Sequence, residues 1–159
     1  MPTITPSLWF DTQGLDAAEF YVSVFPNSEI RSISYYNEAG PREAGSVVTV
    51  EFVLDGQAFM AINGGPQFTF DEAVSFTIGC ADQEQVDYYW AKLSDGGEEG
   101  QCGWLKDRYG LSWQVVPDGM AEALGNPDPA KAERAMKAML GMSKIDLAAV
   151  RAAAEGGAT

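Results

Sequence analysis

The side chains able to do chemistry in this chain are few, and histidine is not among them. Its absence removes the commonest general base and the commonest transition-metal ligand together. What remains is two cysteines, Cys80 and Cys102, a carboxylate pair at Glu98-Glu99, and Gln114, a polar residue among apolar neighbours in Leu111-Ser112-Trp113-Gln114-Val115-Val116. Adjacent strand residues point to opposite faces, so Glu98 and Glu99 cannot readily share a proton and are expected on a solvated edge. Cys102 is a candidate reactive thiol, yet no helix start or obvious basic neighbour would lower its pKa. Cys80 reads as a small buried hydrophobe. Strand alternation puts Leu111, Trp113 and Val115 on one face and Ser112, Gln114 and Val116 on the other, so Gln114 points wherever Ser112 points. Lys106 and Arg108 flank Asp107 in the preceding turn and could attract an anion, though local charge pairing accounts for them more cheaply.

Composition narrows the classes of partner. The 159 residues suit one compact domain or two small modules sharing a core, and 46% hydrophobic against 21% charged residues is an ordinary globular balance. With 23 acids and 10 scattered bases the formal net charge is −13, which disfavours nucleic acid and anionic membrane surfaces as partners. The start, Met1-Pro2-Thr3-Ile4-Thr5-Pro6, has no basic segment leading into an apolar one, and no apolar run approaches a membrane span. Two cysteines are too few for a disulfide framework and fit a reducing compartment, so a cytoplasmic location is expected.

The elements that must position these residues come in two similar sets. Ile4 to Phe10 reads as a strand, Leu15 to Phe25 as a helix, Glu29 to Tyr36 and Val47 to Leu54 as strands, and Asp55-Gly56 as a hairpin turn returning through Gln57 to Asn63. Gly64-Gly65-Pro66 closes this set. The strand Val74 to Cys80 then begins a second set, Asp82 caps a helix carrying Val86, Tyr89, Trp90 and Leu93, and Glu98–Gly103, Trp104–Lys106 and Leu111–Val116 supply three shorter strands. The chain is therefore expected to be α+β, two tandem βαβββ modules over 1–66 and 67–118 forming one curved mixed sheet around a cleft. A tail over 119–159 adds two helices. Asp128-Pro129 starts the first, with Ala132, Met136, Met139 and Leu140 as its apolar stripe, and Ser143 to Asp146 opens the second around Leu147 and Val150. The three segments are read as one structural domain.

Ile4-Thr5-Pro6-Ser7-Leu8-Trp9-Phe10-Asp11, Glu19-Phe20-Tyr21 with Val24-Phe25-Pro26, Gly64-Gly65-Pro66, and Cys102-Gly103-Trp104-Leu105-Lys106-Asp107-Arg108-Tyr109-Gly110 with Ser112-Trp113-Gln114 carry a resemblance. Together they resemble the PhnB-like branch of the vicinal oxygen chelate superfamily, from Met1 to about Ala154 with both tail helices included. Members are often labelled demethylubiquinone methyltransferase or glyoxalase family proteins. The resemblance implies a metal in the cleft, held by one residue from the first and one from the last strand of each module. Carried across, those positions fall on Pro6, Asn63, Ser75 and Gln114.

Pro, Asn, Ser and Gln form a poor ligand set for Zn²⁺ or Fe²⁺, which favour imidazole, thiolate and carboxylate, and hard cations would also want carboxylates. No cofactor is expected, and a divalent metal is disfavoured. Gly64-Gly65 and Gly96-Gly97 do not follow the strand, glycine loop and helix order of a nucleotide fingerprint, so S-adenosylmethionine chemistry lacks a recognisable motif. The primary expectation is a small-molecule-binding protein or metal-independent enzyme of the superfamily, whose cleft is lined by Trp9, Asn63, Ser75, Trp104, Trp113 and Gln114. Three alternatives stay open: a metal-dependent lyase or dioxygenase with atypical ligands, a methyltransferase-labelled member, and a non-catalytic dimeric binding module. Asn63, Ser75 and Gln114 could equally be satisfied interior polar groups. A homodimer is expected from the resemblance and the amphipathic tail.

Overall fold

The computed structural model describes residues 2–157, which fall into two compact units, one running through Phe70 and the other starting at Asp71. In the first, β1 (Ser7–Phe10), α1 (Gly14–Val24), β2 (Glu29–Tyr35), β3 (Val47–Leu54) and β4 (Gln57–Asn63) follow in order. They build a four-stranded sheet ordered β1-β4-β3-β2, with β1 parallel to β4 and the other pairs antiparallel. The strand expected from Ile4 begins instead at Ser7. Pro6 has no N–H for a ladder bond, and Ile4 beyond it is left exposed.

The Asp55-Gly56 hairpin forms as its dipeptide suggests, both residues taking positive φ, 45° and 85°, in the turn whose twist matches two antiparallel strands. Residues three and four apart on α1, Ala17, Ala18, Tyr21 and Val24, are buried against β3 and β4. The two alanines let the helix come close to the sheet. Tyr21 stacks on Phe52 at 6.3 Å between ring centroids, and Phe52 on Phe59 at 5.6 Å, so one aromatic column joins helix to hairpin.

The second unit repeats the order with β5 (Ser75–Cys80), α2 (Gln83–Ser94), β6 (Glu98–Glu99), β7 (Trp104–Lys106) and β8 (Ser112–Pro117). Its sheet runs β5-β8-β7-β6, again with the first strand parallel to the last. Asp82 caps α2 by accepting the Gln85 amide at 2.9 Å, satisfying one of the N–H groups a helix start leaves open. Val86, Trp90 and Leu93 of α2 are buried on the side of the sheet that presents Leu105, Trp113 and Val115.

The strand expected from Glu98 to Gly103 ends at Glu99. The Gly100 amide donates to the Trp104 carbonyl at 2.8 Å and the Trp104 amide to the Gln101 carbonyl at 3.0 Å, which folds the segment into a tight turn. Cys102 stands in the left-handed region at φ 58° and Gly103 follows at φ 84°. Only glycine fits the second position, because a Cβ there would sit 2.8 Å from the Val115 carbonyl oxygen.

The tail has three helices where the sequence suggests two: α3 (Met120–Leu124), α4 (Pro129–Leu140) and α5 (Leu147–Ala154). α3 is five residues long and starts after left-handed Gly119 with no side-chain cap, so neither periodicity nor capping chemistry announces it. Asp128 and Asp146 cap the other two through the amides of Ala130 and Ala149. Met120, Ala123, Ala135, Ile145, Val150 and Ala154 form a small core of their own, with Met139 and Leu147 packed against it. Met136 and Leu140, expected on the packing stripe, are instead exposed. The buried face of α4 turns on Ala135, a residue whose size lets α5 come close.

The link between α4 and α5 docks on the second unit's own sheet module. The amides of Cys102 and Gly103 donate to the carbonyls of Met142 and Ser143, each at 2.8 Å. The Gln83 side chain donates to the Ile145 carbonyl at 2.8 Å and accepts the Leu147 amide at 3.1 Å, and Lys144 pairs with Asp87 at 2.8 Å. No helix among the described residues is long and apolar enough to cross a membrane.

Candidate functional site

The face of the second sheet turned away from α2 carries the polar residues that alternation assigns to it. Thr77 of β5 and Trp104 of β7 both register with Gln114 of β8, while Ser75 and Lys106 register with Ser112. Gln114 Nε2 donates to Ser75 Oγ at 2.9 Å, and Trp104 stands half-buried on the neighbouring strand. Ser75, Trp104 and Gln114 are thus brought to one surface by three adjacent strands.

Beside them opens a recess of about 210 Å³ lined by Glu72, Glu98, Glu99, Trp104, Lys106 and Ser112, among others. Lys106 pairs with Glu72, and this contact holds the Glu72 carboxyl below the usual carboxylate range and raises the Lys106 ammonium above its own. Glu99 accepts the Trp90 indole N–H at 2.9 Å. Ser112, 1% exposed, has a buried Oγ with no hydrogen-bond partner among the described residues. Glu72, Glu98 and Lys106 were not among the sequence-derived site residues. Ser112 was within reach of that reading, since it shares the face of Gln114.

Trp113 faces the other way. It is 3% exposed, lies at 5.7 Å from the Phe76 ring, and donates its indole N–H to Asp107 Oδ2 at 2.9 Å. Asp107 also accepts the amides of Tyr109 and Leu111 on Oδ1, at 2.8 and 3.1 Å. The turn is therefore organised around an inward carboxylate, while Lys106 pairs with Glu72 and Arg108 with Asp95. The aspartate accepts three N–H donors from within this stretch.

Within the first unit, Asn63 falls on the buried face with Phe59 and Ala61. Its Oδ1 accepts the Gly14 amide at 2.8 Å, and its Nδ2 donates to the carbonyls of Thr12 and Val47. All its side-chain atoms able to hydrogen-bond are occupied by backbone. Trp9 lies on the opposite face of the sheet, donates to the Gly65 carbonyl at 2.9 Å, and meets Phe68 edge-on at 5.0 Å. Pro6 precedes β1 and supplies its carbonyl to the Met60 amide at 3.0 Å. Among the described residues no three of His, Cys, Asp and Glu gather as a metal-binding group.

The two thiols differ sharply. Cys80 is fully buried, and that burial, with the nearby Asp118 and Asp82 carboxylates, pushes its pKa from 9.0 to about 11. Cys102 is partly exposed. An aromatic disulfide reagent at pH 8 is expected to titrate one thiol in the folded protein and two in urea, with Cys102→Ser removing the fast one. Equal rates for both thiols would contradict the placement of Cys80. The same shift has a sign in stability. A thiol whose pKa is higher folded than unfolded makes stability fall as pH rises from about 9 through about 11, since the unfolded chain loses its proton first.

Two βαβββ modules in succession, each with its first strand parallel to its last, define the vicinal oxygen chelate fold. The 3-demethylubiquinone-9 3-methyltransferase family model matches residues 2–116. The PhnB protein from Bacillus cereus is 38% identical, with a TM-score of 0.67, covering 73% of this chain and 99% of that one. The chain belongs to this PhnB-like family. A Pseudomonas aeruginosa protein is 17% identical with a TM-score of 0.62, covering 74% and 98% of the two chains. The fosfomycin resistance protein FosX from Listeria monocytogenes, solved with Mn(II) and sulfate, is 14% identical with a TM-score of 0.54, covering 78% and 95%. At those identities the likeness is one of fold. No curated protein matches the sequence. The family match ends at Val116, so the tail helices lie outside it, a shorter span than the near end-to-end resemblance read from the sequence.

Proposed function

We propose that this chain binds a small organic molecule on the Trp104 face of its second module and does so without a resident metal. The observation that carries the reading is the Gln114–Ser75 hydrogen bond at 2.9 Å. These are the positions to which the family resemblance assigns metal ligands, and here an amide and a hydroxyl hold each other beside an indole. Neither group is a good ligand for a transition metal, and the corresponding residue of the first module, Asn63, has its Oδ1 already committed to Gly14. The residues do not fit the metal. They suit a ligand that combines a flat apolar part, for contact with Trp104, and a neutral hydrogen-bonding group, for Gln114 or Ser75.

The family's description names a methyl transfer, for which S-adenosylmethionine would be the donor. The links from strand to helix, Asp11-Thr12-Gln13 and Ala81-Asp82, hold no glycine loop. At the helix starts the Gly14 amide is taken by Asn63 and the Gln85 amide by Asp82. These two links do not form the glycine-rich phosphate-type cradle of a nucleotide fold, and no methyl-transfer step is assigned.

Elemental analysis of the purified protein, with thermal unfolding in Mn²⁺, Zn²⁺ and EDTA, tests the metal half; the expected result is no stoichiometric metal and no change on chelation. A bound metal whose removal lowers the transition would overturn it. Benzyl alcohol, followed by NMR in the tryptophan indole region, tests the ligand half. Binding in the millimolar range is expected for so small a probe, perturbing the Trp104 signal and disappearing in Trp104→Ala. Perturbation that survives this substitution would place the site elsewhere.

A further inference from the structure

We propose that the recess beside Trp104 selects ligands bearing an amine or another small organic cation, an inference that rests on the binding reading above. Three carboxylates, Glu72, Glu98 and Glu99, and one ammonium, Lys106, line this small space. Glu72 is matched by Lys106, and Glu99 holds the Trp90 indole N–H. Glu98, which registers directly across from Lys106, has no hydrogen bond or ion pair of its own among the described residues and leaves negative charge facing the recess. Lys106 also shows that an alkylammonium can be seated here, since its own ammonium already lies against Glu72 and feels the attraction of Glu98 and Asp71.

Two further groups point the same way. The indole of Trp104 offers a ring face, the surface on which cations are attracted by the π quadrupole. Ser112 is 1% exposed, lines the same recess, and keeps an Oγ without a partner. A buried hydroxyl left unmatched costs free energy, and an ammonium N–H is a donor it can accept. The overall charge of −13 adds a field that draws cations and repels anions at low ionic strength.

The test compares three probes of one shape and different charge, benzylammonium, benzyl alcohol and benzoate, titrated into the full chain at low salt and followed by NMR. Benzylammonium is expected to bind about tenfold tighter than benzyl alcohol, the size of a partly screened charge pair joined to a ring contact. Benzoate is expected to be the weakest. Glu98→Gln, an exposed and nearly isosteric change, is expected to collapse the ammonium-to-alcohol affinity ratio to within about twofold, as is added salt. An ammonium no tighter than the alcohol, or a ratio that survives Glu98→Gln, would overturn the cation preference while the Trp104-dependent alcohol signal upholds the binding site. Absence of any Trp104-dependent signal from all three probes would overturn the site and the preference together.

Discussion

Asp107→Ala is expected to lower stability by about 3–5 kcal/mol, read as a shift of the urea midpoint at unchanged slope. The carboxylate accepts the amides of Tyr109 and Leu111 and the Trp113 indole N–H. The last two of these bonds are buried, so alanine leaves donors that neither water nor protein can meet. Asp107→Asn keeps one acceptor oxygen but turns an NH₂ toward an N–H, and an intermediate loss of about 2 kcal/mol is expected. A loss below about 1 kcal/mol for the alanine variant would show that the turn is held by its backbone bonds alone.

Asn63→Leu is the matching experiment in the first module, with an expected loss of about 2–4 kcal/mol. Leucine fills a similar space, so the effect isolates polarity: the Gly14 amide and the carbonyls of Thr12 and Val47 lose their common partner. Asn63→Asp separates donor from acceptor. It retains the bond from Gly14 and sets a carboxylate oxygen against two carbonyl oxygens, which raises the aspartate pKa in the folded state. Its deficit relative to the parent should therefore be smallest below the unfolded carboxylate pKa, about 3.9, and grow as pH rises through the folded value. A pH-independent deficit would contradict this arrangement of donors and acceptors around the side chain.

These two residues also show where sequence reading reaches its limit. The βαβββ order, the Asp55-Gly56 hairpin and the helix starts at Asp82, Asp128 and Asp146 are local patterns, readable because period and capping chemistry act over a few residues. Asn63 looks like a cleft residue from its place at a strand end, yet it reaches back to Gly14, a contact set by tertiary packing. Asp107 looks like one member of a surface charge triplet, and only the fold turns it inward onto Trp113. The alternation that pairs Ser112 with Gln114 was legible and is what leads to the Trp104 face. That Glu72 would reach Lys106 was not, because it depends on where the segment before β5 runs.

The carbonyls of Met142 and Ser143 that receive the Cys102 and Gly103 amides lie beyond Val116, where the family match ends. Without this segment two backbone donors of the module would exchange fixed protein acceptors for water, and the surface on which Ile145 packs, within 3 Å of where a Cβ on Gly103 would stand, would be laid bare. For this chain the tail is part of what closes the surface of the second module.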